Sequence, residues 1–170
     1  QSIIKTVLLA PKAAGFNADV SAFTGVTPPD NQPTSAWPNL LAAVAIRGNR
    51  AYVVNGATSS APPVRFNVNE QAFLSVIDTA ADVEVAAQTI NMNLGAKGES
   101  PQGLFFNTPW GMAVAPGGVS GYVLSAASDI AVRVTFQADG APLVTGPPNA
   151  QSSAGITRVN VGKNPRSVIF

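Results

Sequence analysis

Residues 37–55 have the sequence WPNLLAAVAIRGNRAYVVN, which contains two strand candidates. A run of small and slim apolar residues, Ala43 to Ile46, leads into the turn RGNR, and a second apolar run follows from Ala51 to Val54. Two such runs joined by a short turn that contains Gly and Asn predict a β-hairpin. The question is then whether this hairpin stands alone or belongs to a larger unit.

The same hairpin pattern recurs further along the chain. In TPWGMAVAPGGVSGYVLS, residues 108–125, Met112 to Ala115 precede the turn PGGVSG, and Tyr122 to Leu124 follow it. A third copy, NPRSVIF at 164–170, reaches only its first strand. The recurrence indicates an internal repeat, in which each copy of the hairpin belongs to one structural unit of the chain.

Each hairpin is followed by two further strand candidates, which makes a unit of four strands. In the first unit these are AFLSVIDT (72–79) and VEVAAQTINM (83–92), and in the second DIAVRVTFQ (129–137) and GITRVNVG (155–162). SIIKTVLLA at 2–10 is similar to the fourth strand. We therefore predict an all-β chain with one unit at 39–92, a second at 109–162, an outer strand of a preceding unit at 1–10 and the first strand of a following unit at 164–170.

Several short motifs resemble the YVTN-type repeat of secreted bacterial β-propellers. The matching residues are Asn164-Pro165-Arg166, Ala51 to Asn55 and Leu74 to Thr79. The second unit departs from the pattern, because GYVLSAAS replaces AYVVN and DIAVRVTF lacks the VIDT ending. The resemblance implies a closed ring of about seven four-stranded blades. It also implies export to the periplasm or the cell exterior, in proteins that sometimes carry cytochrome c modules, so that haem c could lie in a partner segment.

The predicted architecture is part of a β-propeller, with about two complete four-stranded blades and strands of the flanking blades. The slim residues of Ala43 to Ile46 and Met112 to Ala115 suit inner strands that crowd a central channel, so these strands should be neighbours around one axis. A sandwich or jelly roll stays open, since it would show similar strands and turns. It would not require the repeated four-strand order.

Composition narrows the chemistry of this chain. Its 170 residues contain no Cys and no His, so the sequence offers no thiolate ligand, no imidazole base and no attachment site for haem c. Ten Lys and Arg against nine Asp and Glu are spread without a basic cluster, which argues against a nucleic-acid partner. No apolar run approaches the length of a transmembrane helix. We predict no catalytic residue, no metal site and no cofactor within the chain.

The spacing of the units predicts where a binding face would lie. Tyr52 and Tyr122 are 70 residues apart, whereas blades commonly repeat every 40 to 45 residues or so. The extra residues fall mostly in 10–38, 55–71 and 91–109, and these three connections should share one end of the blades. The connection 138–154 should lie at the other end.

Seven residues are candidates for binding. Arg65, Phe66, Asn67, Asn69 and Glu70 could hold a ligand or a cation through oxygen atoms, or the polar ones could simply satisfy loop backbone. Trp37 and Trp110 could line a pocket or interface, or fill space between blades. GGVSG and GAKGES lack the strand-loop-helix context of a phosphate-binding loop.

Three functions are compatible with the sequence. The first is a propeller segment of an exported protein that acts as scaffold and interaction surface. The second is the scaffold part of a redox or electron-transfer enzyme whose haem or metal centre lies elsewhere, and the third is a sandwich-type shell or fibre subunit. In the propeller interpretation, Val168 to Phe170 should pair with blades from another polypeptide segment or chain, and the isolated chain should be aggregation-prone.

Overall fold

The chain folds into antiparallel β-sheets with very little helix, as seen in a computed structural model that describes residues 3–16, 32–60, 66–93, 106–144 and 158–170. The all-β prediction is confirmed. The first part of the chain contains β1 (Lys12–Ala14), β2 (Thr34–Ala36), β3 (Pro38–Arg47), β4 (Arg50–Thr58), the single helical turn α1 (Phe66–Asn69), β5 (Glu70–Asp78), β6 (Val83–Glu84) and β7 (Ile90–Asn91). The second part contains β8 (Pro109–Val114), β9 (Ser120–Ser125), β10 (Ile130–Phe136), β11 (Pro142–Leu143) and β12 (Arg158–Asn160).

Sheet 1 is formed by β3 to β7. Strands β3, β4 and β5 follow one another as an antiparallel meander, and both β6 and β7 pair with β5. A turn of 3-10 helix at Ala86–Gln88 separates β6 from β7. The fourth position of the sheet is therefore occupied by one strand in two pieces.

Sheet 2 is formed by β8 to β12 and repeats this order. Strands β8, β9 and β10 make the meander, and both β11 and β12 pair with β10. The segment that separates β11 from β12 includes residues outside the described ranges. The repeated four-position order that the sequence predicts is present in both sheets, while the break in each fourth strand was not predicted.

The main core lies between the two sheets. Alternate residues of the central strands point into it, including Tyr52 and Leu74 from sheet 1 and Val123 and Val132 from sheet 2. This period of two is the geometry of a strand with one face buried. Each of these large apolar side chains contributes about 1.5 to 3 kcal/mol on burial. One shared core therefore holds the two sheets against each other.

The two first strands are neighbours at one edge of this pair of sheets. β3 and β8 lie side by side, yet they belong to separate sheets and share no ladder hydrogen bonds. Several apolar side chains of β3, including Val44 and Ile46, are exposed on the side facing away from sheet 2. Neighbouring first strands were expected from the sequence, whereas a closed ring around a common axis stays a prediction.

The remaining segments lie outside the two meanders. β1 pairs with β2, and their Ala14 and Ala36 form a second small cluster with Ala57 and Phe73 on the outer face of sheet 1. Residues 3–11 have no strand structure. The outer strand predicted for 1–10, like the first strand predicted for 164–170, stays a prediction about a flanking unit.

Tyr52 ties the two sheets together through its ring and its hydroxyl. The ring lies 4.6 Å from that of Phe136, and the hydroxyl donates a hydrogen bond of 2.8 Å to the carbonyl of Gly140. Replacing Tyr52 with Phe is expected to lower the free energy of unfolding by about 1 to 2 kcal/mol, because the buried carbonyl loses its donor. Chemical denaturation measures the loss. Tyr122→Phe is the control, since the Tyr122 hydroxyl makes no hydrogen bond to any described residue, and equal losses in both variants would contradict this role for the Tyr52 hydroxyl.

Candidate functional site

The three long connections meet at one end of the two sheets, which we call the loop face: residues 14–16, 58–60, 66–70, 91–93 and 106–108. The amide of Gly15 donates to the carbonyl of Val68 at 2.9 Å, and the amide of Ser59 donates to the carbonyl of Asn69 at 2.9 Å. Thr34 Oγ1 donates to the Ala14 carbonyl at 3.0 Å. The predicted meeting of these connections is thus seen for the parts of them that are described.

Gln71 lies at the centre of the loop face. Its side chain is fully buried, and Nε2 donates to the carbonyls of Phe16 and Val68 at 3.0 and 3.3 Å. Oε1 accepts hydrogen bonds from Asn91 Nδ2 and Asn93 Nδ2, both at 3.3 Å. One amide group therefore connects the N-terminal segment, the turn before β5 and the end of the fourth strand.

Asn93 extends this network to the segment that leads into sheet 2. Its Oδ1 accepts a hydrogen bond of 2.7 Å from the amide of Phe106, and its Nδ2 donates to the carbonyl of Phe106 at 3.2 Å. The buried side chain thus pairs with the Phe106 backbone in both directions, as a neighbouring strand would. The Phe106 ring is itself part of the main core. The loop face is consequently fixed to both sheets by buried amides.

Two of the predicted binding residues belong to this framework. Asn69 is buried and donates from Nδ2 to the carbonyl of Ser59 at 2.8 Å, which is the backbone-satisfying role that the sequence left open. Glu70 begins β5, and burial raises the pKa of its carboxyl, although the Thr108 amide donates to it and opposes that effect. Glu70 is therefore the residue of this group best placed to change protonation when the loop face is covered.

The two tryptophans lie apart from this network. Trp37 is 67% exposed between β2 and β3, so its indole does not fill space between the described sheets. Trp110 is in β8, and the guanidinium of Arg166 lies 4.1 Å from the centre of its ring. Among the described residues no ring contact joins Trp37 to Trp110. They do not form one aromatic pocket.

Three candidates are only partly described or not at all. Arg65 lies outside the described residues. Phe66 and Asn67 are in α1, and the structure describes their backbone without their side chains. Their binding roles therefore stay predictions.

The central residues of the loop face, Gln71 and Asn93, were not among the predicted ones. Gln71 stands directly before the apolar run AFLSVIDT and reads as the polar edge of a strand. A glutamine next to a predicted buried strand could have indicated such a network. If its amide is buried, both the nitrogen and the oxygen need hydrogen-bond partners.

Two carboxylates near the ends of strands accept hydrogen bonds from backbone amides in turns. Asp78 Oδ1 accepts hydrogen bonds from the amides of Ala81 and Ala80, and these donors hold the pKa of the Asp78 carboxyl below its usual value. The side chain of Lys163 and the amide of Asn164 lower the pKa of the Asp129 carboxyl in the same way. Within the described ranges, no group of three or more acidic side chains is arranged to hold a metal ion.

Comparison with known proteins does not assign a family. No protein-family model matches the chain, and a search of curated proteins finds no significant match. No helix in the described part of the chain has the length and apolarity needed to cross a bilayer.

Proposed function

We propose that sheets 1 and 2 are adjacent blades of a β-propeller, and that the chain is a scaffold whose loop face is an interaction surface. The observation that carries the proposal is the repetition of one antiparallel four-position order in two separate sheets with neighbouring first strands. Blades of a propeller follow one another in this way.

Strand order favours blades over a sandwich. Two sheets around one core would suit either architecture, but sandwiches usually connect their strands by Greek keys that pass between the sheets. Here each meander of three strands stays in its own sheet, and so do both pieces of its fourth strand. Sheet 2 also carries exposed apolar residues, Leu143 and Val159, on the side away from the core. A further blade would cover that side.

The loop face supports the scaffold role because it is held in place from within. Buried Gln71 and Asn93 hold the connections together without using a surface side chain. A surface ordered before binding loses less conformational entropy when a partner docks. In line with the resemblance, we place this protein in the periplasm or outside the cell, with further blades from another polypeptide segment or chain.

The mass of the particle purified from its source tests the architecture. We expect a particle heavier than the 17.3 kDa chain, together with polypeptide that supplies additional blades. A soluble monomer with a sharp cooperative melt would contradict the propeller proposal. A symmetric assembly of this chain alone would favour a shell or fibre subunit, and a haem-bearing co-purifying polypeptide would favour the redox scaffold.

Cysteine protection tests the loop face directly, since the natural chain contains no Cys. Ser60 is exposed on the loop face, and Ala81 is exposed in the turn at the opposite end of sheet 1. In the assembled particle, thiol alkylation of Ser60→Cys should slow at least tenfold relative to the separated chain. Ala81→Cys should react equally fast in both. Equal rates for Ser60→Cys would contradict the loop face as the interaction surface.

A further inference from the structure

An open pocket of about 350 Å³ lies at the end of the sheets opposite the loop face. Three turns form it: Gly48–Asn49 between β3 and β4, residues 115–119 between β8 and β9, and residues 137–141 between β10 and β11. We call it the turn pocket. Its volume is at the lower end of the range of small-ligand sites.

Arg47 places a positive charge at the wall of the turn pocket. Its Nε donates to the carbonyl of Gly118, and its guanidinium lies 5.3 Å from the centre of the Phe136 ring. No carboxylate among the described residues lies within 4.0 Å of this guanidinium. The side chain is thus held in one position without an anionic partner.

Arg50 is the second guanidinium of the wall. Its Nη1 donates to Asp78 Oδ2 at 2.5 Å and to the carbonyl of Asn49 at 3.4 Å, whereas its Nε is buried and has no acceptor among the described residues. A Cβ on Gly140 would lie 2.8 Å from Arg50 Cγ. Because Gly140 has no Cβ, the side chain of Arg50 can occupy this space.

Glycines keep the rest of the pocket open. Gly48 and Gly117 have φ angles of +57° and +88°, and a Cβ on either would meet nothing within 4 Å. Their positive φ angles favour glycine over other residues. The lining therefore combines two ordered guanidinium groups with the backbone of four glycines.

Asp139 is the acidic residue of the lining, and its carboxylate is already engaged. Oδ1 accepts a hydrogen bond from the amide of Ala141 at 3.0 Å, and Oδ2 accepts one from Gln88 Nε2 at 3.1 Å. Asp78 already pairs with Arg50, so Arg47 is the arginine of the lining that has no carboxylate within 4.0 Å among the described residues. An anion would supply the counter-charge that Arg47 lacks.

We propose that the turn pocket binds the oxyanion group of a small molecule, a phosphate, a sulfate or a carboxylate. The guanidinium of Arg47 uses Nε for the Gly118 carbonyl and also contacts the Tyr52 hydroxyl, and its remaining N–H groups can donate to the oxygens of such a group. This differs from a phosphate-binding loop, against which the sequence argues, because the charge comes from arginine and not from a helix N-terminus. The site lies at the opposite end from the loop face and does not depend on the proposed function.

Equilibrium dialysis of the assembled protein with radiolabelled inorganic phosphate tests this site. We expect saturable binding of one phosphate per chain at millimolar concentration, with chloride at equal ionic strength unable to compete. Sulfate and acetate are then compared as competitors of the labelled phosphate. Stronger competition by sulfate indicates a site for tetrahedral anions, and stronger competition by acetate indicates a site for carboxylates. Arg47→Met should weaken binding about tenfold or more. Arg166→Met is the matched control, since Arg166 also lies over an aromatic ring, has no carboxylate within 4.0 Å in the described part of the chain, and is outside the pocket.

A second pair of variants leaves the arginines in place. Ala138 is an exposed residue of the lining. Ala138→Glu should weaken phosphate binding at least tenfold through charge repulsion, whereas Ala138→Gln and Ala81→Glu should leave it within about threefold of the natural protein. Absence of saturable binding, equal competition by chloride, or equal effects of the Ala138 variants would overturn the proposal.

Discussion

Replacing Glu84 with Gln is expected to lower the free energy of unfolding by about 3 kcal/mol and to release the N-terminal segment from sheet 1. Lys12 and Glu84 form an ion pair whose side chains are each only 5% exposed. Glu84 also accepts hydrogen bonds from the amide of Ala10 and from Thr89 Oγ1. The neutral amide of the variant would leave the Lys12 ammonium buried without an anionic partner, and the segment would have to move to hydrate it.

Tryptic cleavage after Lys12 measures this release. Lys12 is buried in β1, so cleavage should be slow in the natural protein and faster by tenfold or more in Glu84→Gln. Asp82→Asn is the matched control, because it removes the exposed pair of Lys5 and Asp82 at 3.5 Å, which is worth at most about 1 kcal/mol. Unchanged cleavage in Glu84→Gln would show that the pair does not hold the segment.

The same pair makes stability depend on acid pH. Burial by itself would raise the pKa of the Glu84 carboxyl, but the Ala10 amide, Lys12 and Thr89 outweigh it and bring the pKa below the ordinary value of 4.5. The stabilisation is therefore complete above pH 4.5 and is lost as the pH falls through the lower folded-state value. The difference in stability between the natural protein and Glu84→Gln should shrink over that range. The pKa values of the Asp78 and Asp129 carboxyls are also lowered by folding, but both residues are present in both proteins. Their effects therefore cancel when the stability of Glu84→Gln is subtracted from that of the natural protein.

The strand order could be predicted because its signals are local. Alternating or continuous apolar runs such as Ala51 to Val54, bounded by turn residues, specify strands within a few positions. The break in each fourth strand lacks such a signal. TINM reads as a continuation of VEVAAQ, and the 3-10 turn at Ala86–Gln88 forms where the chain stops pairing with β5.

The interactions that define the two ends of the sheets could not be predicted, because they join residues far apart in sequence. Lys12 and Glu84 are 72 positions apart, and Arg47 meets Gly118 across 71. The sequence RGNR predicts a turn. Its two arginines line a pocket only because turns of sheet 2 pack against them. The end that carries the long connections could be predicted, since antiparallel order alone assigns each connection to an end.

Gln71→Leu is expected to lower the free energy of unfolding by about 3 kcal/mol or more, which would be concentrated at the loop face. The variant leaves the carbonyl of Phe16 without its side-chain donor and the side-chain amide of Asn91 without its acceptor. The Val68 carbonyl keeps the Gly15 amide and Asn93 Nδ2 keeps the Phe106 carbonyl, but each loses its second partner. Each buried polar group left unpaired costs about 1 to 3 kcal/mol, and the added apolar burial offsets part of the total.

Hydrogen exchange shows where this loss falls. The amide of Phe106, held by Asn93, should exchange faster by tenfold or more in Gln71→Leu, while that of Gly140 in the turn between β10 and β11 should change much less. Gln137→Leu is the matched control, since Gln137 is exposed and lies at the other end of the sheets, and it should stay within about 0.5 kcal/mol of the natural protein. If Gln71→Leu unfolds at the same denaturant concentration as Gln137→Leu, the buried amide network does not hold the connections together. The loop face would then owe its order to apolar packing around Phe16, Phe73 and Phe106, which are buried aromatic residues in or next to it.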